Sequence, residues 1–64
     1  MSVKITDVMI ARAMTRYGGS FVRHLGAAAL CADPDNLARL KAAWPEYWAE
    51  YAEFAKRDDD RGGA

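Results

Sequence analysis

Asp33-Pro34-Asp35-Asn36-Leu37-Ala38-Arg39-Leu40-Lys41-Ala42-Ala43-Trp44-Pro45 decides how this 64-residue chain folds. Asp33 is a helix cap by type, because its carboxylate accepts hydrogen bonds from free backbone N–H groups. Pro34 suits the first helical position, where its missing N–H costs nothing. Asp35 places negative charge at the positive end of the helix dipole. Leu37, Leu40, Ala43 and Trp44 follow at helical spacing. Pro45 then clashes with the preceding turn and pushes Trp44 away from the helical region. Pro45 therefore either starts a new helix at its first position or kinks a single long one, and a short helix with a tight corner into the next is the favoured reading.

Toward the C-terminus, Trp44, Trp48, Tyr51 and Ala55 make one stripe, and Tyr47, Tyr51 and Phe54 make a second beside it. Glu46, Glu50 and Glu53 are left for solvent, with Glu53 four residues before Arg57 and able to pair with it. Asp58, Asp59 and Asp60 oppose the negative end of the helix dipole, so the helix is expected to fray by Asp58. Residues 58–64 then read as a flexible acidic tail on a single helical domain spanning 1–57.

Toward the N-terminus, Thr6 or Asp7 starts a first helix, and Ile5 with Ile10 sits where a hydrophobic staple favours Thr6. Met9, Ile10, Ala13, Met14 and Tyr17 share its apolar side. Gly18-Gly19 stops it, glycine being suited to a left-handed terminus. Ser20 is the expected cap of a second helix whose inner face is Phe21, Leu25, Ala28, Ala29 and Ala32. Gly26 costs that helix about 1 kcal/mol relative to alanine, tolerable where another helix backbone packs closely; the alternative is a break at Leu25-Gly26 into two shorter turns. The fold class is therefore all-α, a compact bundle of three to four short helices. Its expected core is Ile10, Met14, Phe21, Leu25, Ala29, Leu37, Leu40, Trp44, Trp48 and Tyr51.

Composition agrees with this class. Hydrophobic residues make up 52% and charged residues 28% of the chain, which argues against wholesale disorder. The formal net charge is zero, but residues 1–30 sum to +3 and residues 31–64 to −3 (four basic groups against one acidic, then five against eight). Such a dipolar molecule can orient toward a charged partner. A single cysteine, Cys31, forms no intramolecular disulfide, and nothing resembles a leader or a membrane span. A cytoplasmic location without membrane partners is the expectation.

No catalytic residues, cofactor or metal site are predicted. Cys31 and His24 stand seven residues apart, about 10 Å along a helix, too far for a thiolate–imidazolium pair. Cys31 reads as a small packed hydrophobe and His24 as a surface or boundary residue. One Cys and one His do not complete a zinc site, and Asp58–Asp60 lacks the glycine turn and terminal glutamate of a calcium loop. The chain is read as a non-enzyme.

Binding remains. Five rings between Trp44 and Phe54 exceed what one helix of so small a domain readily hides, and Tyr and Trp favour interfaces. Tyr47, Tyr51 and Phe54, with Glu46, Glu50 and Glu53, are the expected protein-binding residues; the bland alternative is a covering layer over the bundle. A homodimer burying this face is a further alternative. Nucleic acid is the third, through a helix-turn-helix-like pairing in which Lys4, Arg12, Arg16, Arg23 and His24 meet phosphates. The alanine-rich second helix and the acidic half count against it.

Tyr17-Gly18-Gly19-Ser20-Phe21-Val22 with Leu25, then Ala32-Asp33-Pro34-Asp35-Asn36 and Leu40-Lys41-Ala42-Ala43-Trp44-Pro45-Glu46-Tyr47-Trp48 with Tyr51, resembles small helical proteins of bacteriophage and prophage genomes. The resemblance spans residues 5–54 and is carried by caps, core and aromatic positions. It implies an accessory factor in the host cytoplasm that binds a host or phage protein, including inhibitors of CRISPR–Cas defence. In some of those an acidic surface competes with nucleic acid, a role open here to Glu46, Glu50, Glu53 and Asp58–Asp60.

Overall fold

Thr6 begins the first helix: its hydroxyl accepts the Met9 backbone N–H at 3.2 Å. In this computed structural model, which describes residues 4–60, the chain is all-α. Its elements are α1 (Asp7–Tyr17), α2 (Ser20–Cys31), α3 (Pro34–Ala43) and α4 (Pro45–Asp60). Asp33 caps α3 by accepting the Asn36 N–H at 2.8 Å, with Pro34 in the first turn. Trp44 makes the corner at φ −132°, ψ 61°, and α4 starts on Pro45.

α1 and α2 lie side by side as an antiparallel hairpin, and two glycines explain how closely. A Cβ on Gly18 would stand 2.6 Å from the Met14 carbonyl oxygen and 2.7 Å from Val22 Cγ1. One on Gly26 would stand 2.7 Å from the Ala11 carbonyl oxygen and 2.8 Å from Met14 Cβ. Gly18 is extended (φ −76°, ψ 160°), not left-handed as expected. It is required for proximity, not for backbone freedom.

That approach fixes the rotation of α2. Gly26 faces α1, so the residues that share its side, Val22, Leu25 and Ala29, are buried. Phe21 and Ala28, expected inside, are turned out; Phe21 is 55% exposed. Ser20 is likewise not the cap. Gly19 holds that position and offers no side-chain hydrogen bond, while Ser20 is the first helical residue. Nothing lies within 4 Å of a Cβ built on Gly19. Gly19→Asp is expected to supply the missing acceptor and raise stability by a few tenths to about 1 kcal/mol, read as a higher urea midpoint. An unchanged or lower midpoint counts against that account of the turn.

α4 runs alongside α1 in the same sense. Near the start of both helices, Trp48 Nε1 donates to Asp7 Oδ1 at 3.0 Å, and Lys41 Nζ donates to Asp7 Oδ2 at 3.1 Å. The Trp48 hydrogen bond holds the Asp7 carboxyl below its ordinary pKa of 3.8; partial burial opposes this and Lys41 adds to it. A carboxylate depressed in the folded state stabilises at neutral pH. That contribution is complete above the ordinary value and is lost as the pH falls from there through the lowered folded-state value. At the other end, Tyr17 Oη donates to Asp58 Oδ1 at 2.6 Å and Arg16 Nη1 to Asp58 Oδ2 at 3.3 Å. These ties oppose the fraying expected at Asp58, and α4 continues to Asp60. The rest of the expected tail, residues 61–64, lies outside the described residues. Arg57, expected to pair with Glu53, instead lies over the Phe54 ring at 5.6 Å.

The buried core is Ile10, Ala11, Ala13, Met14, Val22, Leu25, Ala29, Trp48, Tyr51 and Ala55. No buried residue comes from α3. Leu37, Leu40 and Trp44, expected in the core, are only partly covered and rest on its margin. No helix among the described residues is long and apolar enough to cross a membrane.

Candidate docking surface

The five C-terminal rings are sheltered more thoroughly than their number suggested. Trp48 and Tyr51 are buried, while Trp44, Tyr47 and Phe54 are half-buried. Residues of the first two helices supply the cover. Tyr17 stacks on Phe54 at 5.0 Å between centroids, and Phe54 stacks on Tyr51 at 5.2 Å. Burial pushes the Tyr51 phenol up in pKa, with Glu50 and Tyr47 adding to the shift. The expected band of Tyr47, Tyr51 and Phe54 is therefore not a continuous exposed face. Tyr51 belongs to the core, and Phe54 is sandwiched between Tyr17 and Tyr51.

Exposed ring surface lies at Tyr17, 41% exposed, and more fully at Phe21. Its ring meets Trp44 edge-on at 5.8 Å and Tyr47 at 6.2 Å, arrangements that the aromatic quadrupole favours. Beside this trio an open groove of about 600 Å³ runs between α2 and α3. Ala28, Ala32, Leu40, Ala43 and Trp44 give it an apolar wall, Asn36 and Arg39 supply its polar groups, and Cys31 opens onto it. Cys31 is exposed, contrary to the packed position expected of it. Small residues on α2 leave the recess, and Trp44 at the corner lines it. Sequence reasoning put Phe21 inside because it is the largest apolar residue of α2. The signal that could have placed it outside was Gly26, whose need for a close neighbour orients the helix.

The charged candidates are distributed as follows. Glu46, Glu50 and Glu53 are exposed on α4. Arg12, Arg16, Arg23 and His24 are exposed on the hairpin, with Arg16 engaged by Asp58. His24 Nδ1 donates to the Ser20 carbonyl at 2.6 Å. Among the described residues no three His, Cys, Asp or Glu side chains gather as a metal site. No buried side-chain polar atom among them lacks a hydrogen bond.

No protein-family model matches the chain, and neither a curated protein nor a solved structure matches it.

Proposed function

We propose that this chain is a non-enzymatic binding module that seats an apolar segment of a host or viral protein on the α2–α3 groove, with Phe21 as the anchoring ring. The observation that supports this reading is a phenylalanine 55% exposed and edge-on to Trp44, which lines an apolar recess. Fully burying such a side chain contributes about 1.5–3 kcal/mol, and interface energy concentrates in a few aromatic anchors of this kind. Trp44 and Tyr47 flank the ring, so it has little freedom to lose when a partner covers it.

Phe21→Ala tests the reading because the ring is largely outside the core. The variant is expected to keep its helical circular dichroism and a urea midpoint within about 1 kcal/mol of the parent's stability. It is also expected to lose a host protein that the parent retains in affinity capture, as is Ala28→Arg, which blocks the groove. If both variants stay folded and retain that protein, the groove is not the docking surface.

A second reading keeps the notion of an inhibitor of CRISPR–Cas defence, and its support is the exposed Glu46, Glu50 and Glu53 on α4. An acidic stripe suits a basic partner surface that otherwise holds nucleic acid. Replacing the three with glutamine in the same capture distinguishes the two. Loss there, with retention in Phe21→Ala, moves the site from the groove to α4.

A further inference from the structure

α3 is held differently from its neighbours. Among the described residues every buried side chain belongs to α1, α2 or α4, and the α3 residues Leu37 and Leu40 only rest against that core. Its ends are abrupt: Ala32-Asp33 separates it from α2, and Trp44 alone separates it from α4. Among the described residues, the side-chain hydrogen bond joining α3 to another helix is Lys41 Nζ to Asp7 Oδ2, at 3.1 Å. Asp7 is positioned without α3, because its other oxygen accepts from Trp48 of α4.

Stability is unevenly spread through a fold, and segments with few buried apolar contacts open at lower free energy than the whole. A helix of ten residues is also too short to persist once detached in water. Undocking of α3 is thus coupled to loss of its own backbone hydrogen bonds, which makes the event readable at its amides.

We infer that α3 is a hinged strap, which undocks as a unit from the α1–α2–α4 core about Ala32-Asp33 and Trp44, with Lys41 on Asp7 as its latch. The inference stands independently of what binds the groove. If the groove is a docking site, one of its walls is the moving part, and its width varies with the strap.

Native-state amide hydrogen exchange, followed residue by residue by NMR through low urea concentrations, tests this. The amides of Leu40, Ala43 and Trp44 are expected to share one opening, about ten-fold or more faster than those of Met14 and Ala29. Their exchange is expected to rise with urea more shallowly than global unfolding does. Lys41→Met keeps the side-chain stem and removes the charge; it is expected to accelerate the α3 amides several-fold and leave Met14 and Ala29 unchanged. Exchange of α3 in step with the core overturns the strap, as does graded, urea-independent fraying from its ends. Unaltered α3 exchange in Lys41→Met overturns the latch.

Discussion

Trp48→Ala is expected to leave the chain largely unfolded at room temperature. The indole is 8% exposed, and truncating a buried tryptophan to alanine costs about 3–5 kcal/mol. A core in a domain this small rarely supplies more than about 3–5 kcal/mol in total, so the loss is comparable with the whole margin. The substitution also removes the Nε1–H that bonds Asp7. Trp48→Phe separates the two effects by keeping most of the ring and deleting the donor. Asp7 remains near Lys41 and is partly open to water, so that variant is expected to lose only about 1 kcal/mol. Urea unfolding followed by far-UV circular dichroism reads both. A Trp48→Ala midpoint close to the parent's means that α4 is not integral to the core.

Gly26→Val is expected to be as damaging, and Gly26→Ala to be harmful in spite of helix propensity. Alanine is favoured over glycine inside a helix by about 1 kcal/mol. Here, however, the added carbon meets the Ala11 carbonyl oxygen at 2.7 Å and Met14 Cβ at 2.8 Å. Neither is the end of a flexible side chain, so α1 and α2 must separate. Overpacking costs about 1–3 kcal/mol, and the upper part of that range outweighs the propensity gain. Gly26→Ala is expected to be about 1–2 kcal/mol less stable than the parent, a fall of roughly 4–16 °C in Tm at about 4–8 °C per kcal/mol. Gly26→Val adds two branched carbons at the same point and is expected to be unfolded. A Gly26→Ala protein with a raised Tm contradicts the close approach of the hairpin.

These two positions also show what was legible in the residues. Pro45 and Gly26 each allowed two readings, and the chain turns at the first and stays helical through the second, whereas the caps at Thr6 and Asp33 read directly. Each depends on a few neighbouring residues, which a sequence displays. The rotation of α2 was harder, because two overlapping stripes, one through Phe21 and one through Val22, share Leu25 and Ala29. Size favoured the first, and the demand of Gly26 for a near backbone decided for the second. Partners distant in the chain were not legible at all. Nothing local announces that Asp7 meets Trp48 and Lys41, or that Tyr17 and Arg16 hold Asp58. The candidate surface shifted for the same reason. Tyr17 comes from outside the aromatic segment and covers Phe54, while the outward turn of Phe21 opens a different face.

The link of Gly18 and Gly19 between α1 and α2 bears on the order in which the molecule assembles. Closing two helices across so short a connection costs little chain entropy, whereas bringing α4 back onto α1 spans some forty residues and costs more. The hairpin is then expected to be the nucleus, with docking of α4 following. In stopped-flow mixing, the strain of Gly26→Ala falls mainly on the refolding rate, while weakening Trp48 with Phe chiefly hastens unfolding.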